Sequence, residues 1–464
     1  MKKFFVSLGL AAAGTAGLHA AYAPDSPDTS KMWSLSASLR GFYDDNYNTT
    51  QRKQGSYGFE ASPSFSLNMP LQQTEIGLRY TYGLYYYQQR EQDGEKPIDQ
   101  THQLDLWLDH AFTPRWEARV QDTVTVAQDP ELTASGTATP HRTDGNYIAN
   151  TFTTSLHTDW TQEFSTALTY QNSFYHYENS GATDETSGTY NNQSSTPVNG
   201  YTYVPSLGYY YGGGSSASVN PSLAGLLDRV EQSIALDLQW HVTPTTMALI
   251  GYQFGLVNFT GNELVAYSQV FPYYGPGWPV TAVYSSDRDN MSHTVYVGAQ
   301  HEFLANLTGS VKAGVQYTDY YNDPSSTSSL GPYADASLIY TYASGSYAQL
   351  GVTQSRNATD TIQIDSQGHI TLDQETTVAY GSINHALTSK LMASAVGHFQ
   401  YSVYHDGQYN NQTAEFYNLG LDLSYAFNRN LSADLGYNFD WYTTIVPGQD
   451  YTRNRVYLGV TATY

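Results

Sequence analysis

Near its C-terminal end the chain alternates with a period of two. Leu431, Ala433, Leu435, Tyr437, Phe439 and Trp441 fall on one side of an extended segment, and Ser432, Asp434, Gly436, Asn438 and Asp440 on the other. Successive side chains of a strand point to opposite faces, so this segment has one apolar and one polar face. The segment before it sets Tyr417, Leu419, Leu421, Leu423, Tyr425 and Phe427 against Asn418, Gly420, Asp422, Ser424 and Ala426. The last segment sets Val456, Leu458, Val460, Ala462 and Tyr464 against Arg453, Arg455, Tyr457, Gly459, Thr461 and Thr463. Upstream, Trp33–Arg40, Glu75–Leu84, Leu104–Asp109, Ile234–His241 and Leu307–Gln316 alternate in the same way. Runs of about 9–11 residues with apolar side chains at every second place suit strands tilted across a hydrocarbon layer.

Two kinds of break separate these runs. Short ones lie at Met69–Gln72, Thr113–Arg115, Asp159–Gln162, Thr243–Thr245, Leu304–Asn306, Ala343–Ser346, Thr388–Lys390 and Asn428–Asn430. Most hold Thr, Pro, Asn or Ser, which initiate turns. They alternate with nine longer polar stretches, from Asp44–Ser56 to Thr443–Tyr451. Eight turns and nine loops make seventeen connections, hence an expected all-β, antiparallel, up-and-down transmembrane barrel of about 18 strands, with 16 and 20 as the neighbouring counts. Short turns then face the periplasm and long loops the outside. A soluble sandwich fits less well. The strands are too many, tyrosine and tryptophan crown the apolar faces near strand ends, and only closure removes the sheet edges.

Composition agrees with one lipid face and one water face. Charged residues make up 13% and aromatic residues 14% of the 464, with 43 tyrosines; soluble domains carry about 25% charged residues. No run of eighteen apolar residues occurs, which excludes a helical span. The absence of cysteine removes disulfides, thiolate metal sites and N-terminal lipidation. A formal charge of −22 argues against nucleic acid. Lys2 and Lys3 followed by an apolar, Ala- and Gly-rich stretch to Leu18 read as a secretory signal. The expected organisation is a signal over 1–23, a short periplasmic segment over 24–31 and the barrel over 32–464.

The terminal RVYLGVTATY resembles the signal read by the bacterial barrel-assembly machinery, with Tyr457, Gly459, Ala462 and Tyr464 in its places. The segment LSASLRGFYDDNYN, ending its strand in Tyr43 before Asp44, Asp45 and Asn46, is similar to the first strand and loop of the putative β-barrel porin-2 family. That resemblance implies a porin-like protein of the bacterial outer membrane, with some relatives tied to surface polysaccharide export. Its implied partners are membrane lipid, lipopolysaccharide, the assembly machinery and small hydrophilic solutes; a homo-oligomer is compatible with it. It implies no catalytic residues.

Candidate chemistry is sparse. His110, His157, His241, His301 and His385 each precede a short turn, as interfacial rings do without any ligand role. A lipase needs Ser and His on the lipid face, but parity turns Ser394, His398 and Ser402 inward. Asp287, Asp289 and His293 could supply a protease dyad at the outer rim, in a chain too long for that class. Asp44, Asp45 and Asn46 could hold a divalent cation, though no EF-hand spacing is present and a solvated acidic turn accounts for them better. The expectation is therefore no catalytic site, no metal and no cofactor.

Two loops stand out. Glu178–Arg229 exceeds fifty residues and holds Asn220-Pro221 before SLAGLLDRV, which reads as a capped short helix able to enter the lumen or lie across its mouth. Gly261–Asn290 holds Phe271, Tyr273, Tyr274 and Trp278, suited to stacking on sugars or on each other.

By parity, Glu60, Glu75, Asp105, Asp109, Glu117, Asp237, Glu302, Asp335, Asp422, Asp434 and Asp440 face inward. Against them stand Arg40, Arg79, Arg119, Lys312, Arg453 and Arg455. The arginines other than Lys312's strand form an expected basic strip once the barrel closes, flanked by Asp422, Asp434 and Asp440. Acidic residues outnumber basic ones, so a weakly cation-preferring passive channel is expected. A polysaccharide-export or sugar-selective channel, and a structural or adhesive barrel with a blocked lumen, are the alternatives.

Overall fold

The computed structural model describes residues 31–464 except 131, 133–134, 144, 179–200, 205–208, 213–220, 262, 270–279, 324–326 and 366–368. The signal expected over 1–23, most of the 24–31 segment, the bulk of the 178–229 loop and the aromatic residues Phe271, Tyr273, Tyr274 and Trp278 lie outside the described residues.

The first seven strands are β1 (Trp33–Asp44), β2 (Ser56–Pro70), β3 (Thr74–Tyr87), β4 (Ile98–Thr113), β5 (Trp116–Ala127), β6 (Tyr147–Asp159) and β7 (Phe164–Tyr177). A small hairpin, β8 (Tyr201–Val204) and β9 (Tyr209–Gly212), precedes β10 (Arg229–Thr243) and β11 (Thr246–Phe259). A second, β12 (Leu264–Gln269) and β13 (Val280–Tyr284), precedes β14 (Asn290–Leu304), β15 (Leu307–Asp319), β16 (Ser328–Ala343) and β17 (Ser346–Asn357). The wall ends with β18 (Asp373–Ala386), β19 (Leu391–His405), β20 (Thr413–Asn428), β21 (Leu431–Thr444) and β22 (Tyr451–Thr463). The two small hairpins stand apart; the other strands form one 18-stranded antiparallel sheet, closed by pairing of β1 with β22. The expected strand number and all eight short turns are present.

Alternation decides the two faces. Leu39 is 55% exposed, while its neighbours Ser38 and Arg40 are 5% and 7% exposed, because an isolated barrel shows its lipid face and covers its lumen. On β4, His102 and His110 bracket the outward Leu104, Leu106 and Leu108. Eight residues at about 3.3 Å each run about 26 Å along the strand, which a tilt of about 40° brings to about 20 Å of depth, within a barrel's apolar band. On β14, His293 and His301 bracket Val295 and Val297 at the same spacing. The hairpins match in detail. Tyr80 Oη bonds His102 Nδ1 and Tyr252 Oη bonds His293 Nδ1, both at 2.8 Å. Thr74 Oγ1 bonds His110 Nδ1 at 2.8 Å and Thr246 Oγ1 bonds His301 Nδ1 at 2.9 Å.

Inward glycines make room for flat rings on the next strand. A Cβ on Gly77 would meet the Trp107 indole at 1.8 Å, and one on Gly436 would meet the Tyr457 ring at 2.0 Å. The short helix expected after Asn220-Pro221 is present but begins later. Following the one-turn α1 (Gln88–Asp93), α2 covers only Leu223–Leu227. Its cap is Ser222, whose side chain accepts from the Gly225 N–H, and the chain turns extended at Asp228 to enter β10.

Candidate pore and its constriction

Loops fold back into the outer end of the lumen and dock on its wall. The first, 45–55, buries Tyr47 among Phe42, Tyr85, Tyr87 and Tyr457. Arg90 of α1 stacks 5.0 Å from the Tyr47 ring and 4.3 Å from Tyr87, and pairs with Asp99 at 2.8 Å. The Asp44, Asp45 and Asn46 motif finds its partners here. Asp44 takes Arg453 of β22 at 2.7 Å, Asp45 takes the Asn454 backbone N–H at 2.6 Å and Lys53 at 2.7 Å, and Asn46 donates to the carbonyls of Thr50 and Thr452. The motif thus staples the seam between the first and last strands. The Asp44 and Asp45 oxygens that a cation would use already accept from protein donors.

The segment between β5 and β6, residues 128–146, crosses the lumen. Around the wall, β5 and β6 are the fifth and sixth strands, and β18 and β19 the fourteenth and fifteenth, nine places away in a ring of 18. The tip at Gly136 and Thr137 reaches that opposite wall. The Thr137 N–H donates to Gln400 Oε1 at 2.7 Å, and the Thr137 carbonyl accepts from Gln400 Nε2 at 3.0 Å and Gln374 Nε2 at 3.1 Å. Gly136 has φ +105°, and a Cβ there would lie 2.6 Å from Asn357 Nδ2, so glycine alone fits. Further back, Asp129 pairs with Arg453 at 3.1 Å, Tyr451 Oη donates to the Pro140 carbonyl at 2.6 Å, and Arg142 pairs with Asp99 at 2.5 Å. His141 packs 5.2 Å from both Tyr442 and Tyr451. Sequence reading missed this crossing segment because its length is unexceptional; the glutamines that receive its tip look like ordinary lumen residues.

A third apolar cluster joins α2, the β12–β13 hairpin and the 358–372 connection to the wall at Ala127, Tyr147, Tyr177 and Phe259. Arg288 is its polar pin. It is wholly buried, 4.1 Å above the Phe259 ring, and donates to the carbonyls of Leu226 and Thr359, which come from two different loops. Burial, with Arg229 nearby, pushes its guanidinium down to about 9.

The expected strip of arginines divides into two groups. Arg40 pairs with Glu60 at 3.3 Å and reaches past β22 to Asp434 at 2.7 Å. Arg453 takes Asp44, Asp129 and Asp440, and Arg455 lies 4.0 Å from the Phe42 ring. These three are buried. Arg79 and Arg119, toward the periplasm, pair with Asp105 at 3.1 Å and Asp109 at 2.5 Å, with 29% of each arginine side chain exposed. Asp422 accepts from Tyr457 Oη at 2.8 Å. Carboxylates and guanidiniums therefore interleave. Glu75, Glu117 and Glu302, at the periplasmic ends of their strands, have no ion pair among the described residues.

The remaining candidates separate. Ser394 bonds Asn384, Ser402 bonds Thr376 and Gln400, and neither reaches His398. Asp289 accepts from the Phe259 N–H and Asn322, while His293 faces lipid with Tyr252. At the C-terminus, Tyr457 points inward under Arg40, Gly459 lets the Arg40 stem lie against the wall, Ala462 faces outward, and Tyr464 packs 5.6 Å from Trp33.

A closed eighteen-strand wall with a lipid-facing apolar band and a polar, loop-narrowed interior defines a porin-like barrel of the bacterial outer membrane. The family model described as putative beta-barrel porin 2 matches residues 280–464, the family that the Tyr43–Asn46 motif resembles from outside that stretch. No curated protein matches the chain. Among solved structures it is similar to OccAB3 of Acinetobacter baumannii, with 9% identity, coverage of 93% of this chain and 99% of that one, and a TM-score of 0.39. It is also similar to OccK9 (OpdG) of Pseudomonas aeruginosa, with 10% identity, coverage of 93% and 98%, and a TM-score of 0.40. OpdK of Pseudomonas aeruginosa, solved with vanillate, gives 8% identity, coverage of 93% and 99%, and a TM-score of 0.40.

Proposed function

We propose that this barrel is a passive channel for small hydrophilic solutes, weakly preferring cations, and that residues 128–146 set its narrowest region. The supporting observation is the fixed crossing of the lumen from β5–β6 to Gln374 and Gln400. The cation preference is supported by the pairing of Arg40, Arg79, Arg119 and Arg453 with carboxylates, beside Glu75, Glu117 and Glu302 at the periplasmic mouth, which have no ion pair among the described residues. Single-channel recording tests it. Replacing 132–142 by a short Gly-Ser linker raises conductance while the heat-modifiable band persists; an unchanged conductance sinks the reading. A barrel that never conducts would instead favour a blocked, structural role.

A sugar-selective channel has its own support. Tyr333 and Tyr380 face inward and are only partly buried, aromatic surface of the kind on which pyranose rings stack. Current block by maltose or a neutral disaccharide distinguishes it.

Self-association is proposed for the β5–β6 wall. Asp122 faces outward at mid-strand between Val120 and Val124 and accepts from Asn150 at 2.6 Å. A carboxylate facing hydrocarbon is costly, and a second copy would cover it. Asp122→Leu would then lower the oligomer fraction seen by analytical ultracentrifugation. Recognition of the C-terminal strand by the assembly machinery is likewise proposed, on the exposed Tyr464.

A further inference from the structure

The periplasmic rim of the outer wall carries three outward imidazoles, each tied through Nδ1 to a hydroxyl: His110 to Thr74 and His301 to Thr246 on the adjacent strand, and His385 to Tyr342 two strands away across β17. At two of them a phenyl ring two residues on packs edge-on against the imidazole, Phe112 at 4.5 Å and Phe303 at 4.7 Å. At His385 the equivalent residue is Leu387, and the strand beside it bears Ala393 and Ala395. The wall is therefore hollowed there. A cavity of about 730 Å³ opens on the lipid face, floored by the two alanines, walled by Ile383, Leu421 and Leu435, and ended by His385 and Tyr342.

Charge is placed to match. The eight short turns hold three basic residues, Arg115, Lys390 and Arg429. Lys390 and Arg429 lie in the β18–β19 and β20–β21 turns, directly below the groove, and Lys390 Nζ reaches the Phe427 carbonyl at 3.5 Å to join the two turns. Arg115 is on the far side of the barrel. An apolar groove two rows of outward side chains high, about 7 Å along the strands, with an imidazole and a phenol at its periplasmic end and two cations in the turns below, suits the first methylenes of an acyl chain and the phosphate of one anionic glycerophospholipid.

We propose that this groove binds an acyl chain of an inner-leaflet phospholipid, whose phosphate sits among His385, Tyr342, Lys390 and Arg429. The occupant follows from the complementarity of that basic end to a phosphate and from the groove's position in the hydrocarbon layer. The site faces away from the lumen, so it stands or falls independently of the channel reading.

The test uses the full barrel extracted from membranes, exchanged into detergent with dioleoylphosphatidylglycerol and examined by native mass spectrometry. Ala395→Trp fills the groove from the lipid side, and Ala393→Leu does so more gently should the first fail to give a heat-modifiable band. Either lowers phosphatidylglycerol retention about tenfold, a loss of roughly 1.4 kcal/mol. Lys390→Gln with Arg429→Gln removes the preference for phosphatidylglycerol over phosphatidylcholine, and conductance stays unchanged throughout. Retention that survives the groove-filling variants overturns the proposal. So does displacement of the lipid by inorganic phosphate, which would mark a bare anion patch, or by lipopolysaccharide, which would place the ligand in the other leaflet.

Discussion

The two ends of this barrel share one wall and differ in what fills it. At the periplasmic end the strands are joined by tight turns, and inward side chains such as Arg79 and Arg119 keep much of their surface. At the outer end Arg40, Arg453, Tyr451 and Gln400 are buried under returning loops. The wall residues at both levels obey the same alternation. The difference teaches that the large charged and aromatic side chains of the outer lumen are covered by returning connections, whereas buried positions near the periplasmic turns, such as Ser165 and Gln239, are covered by their neighbours on the wall. Wall and lid also hold by different physics. The wall relies on closure of the hydrogen-bond ladder, whereas the lid relies on three apolar clusters and a few charged pins.

Perturbing each end separately breaks or sharpens this contrast. The largest effect is expected at the periplasmic seam, where deleting Tyr464 removes the ring against Trp33 and the last pair of ladder bonds, both to Leu35. The amount of folded protein in the outer membrane falls about tenfold, as read from the heat-modifiable band, and an unaltered band rejects the role of this terminus. Next comes the outer seam. Arg453→Met strands Asp44 and Asp129 among buried groups, a loss of about 3–5 kcal/mol for breaking a buried pair. The temperature at which the band shifts drops, while the Arg119→Met counterpart at the open end barely moves it. A smaller effect follows from Gln400→Ala, which frees the tip of the crossing segment. Mean conductance rises about twofold and its noise increases, with no change in the unfolding temperature; a quiet, unchanged current would show that the tip is held by other contacts. Smallest is selectivity. Arg79→Ser with Arg119→Ser exposes Asp105 and Asp109 in the open half, where screening acts over about 8–10 Å. The reversal potential in a KCl gradient moves by a few millivolts toward greater cation preference, and Arg40→Ser alone moves it less.

Much of the architecture was legible in the chain. A lipid face tolerates no polar residue without cost, so Leu35, Leu39, Leu421 and Val456 announce their orientation, and every strand between the short turns could be counted from them. The turns were legible because a two-residue connection needs Thr, Pro, Asn or Gly at fixed places. The candidate site was less so. The arginines at 40, 79, 119, 453 and 455 do line the lumen, yet nothing local says that Arg453 meets Asp129 from a segment 324 residues away, or that Arg40 spans a strand to reach Asp434. The glycine at 136 is the one local trace of the crossing, since its positive φ and crowded Cβ position admit no other residue. In the run Thr133-Ala134-Ser135-Gly136-Thr137-Ala138 it is indistinguishable from a loop glycine.

Sequence alone determined the fold class, the strand number, the two faces of the clearly alternating strands and which connections are short, because alternation and turn chemistry act over a few residues. Tertiary structure decided which segment crosses the lumen, which charges are buried as pairs and where the outer wall is hollow. Those depend on closure, which brings the fifth strand opposite the fourteenth and the first beside the last. No window of the chain contains that neighbourhood.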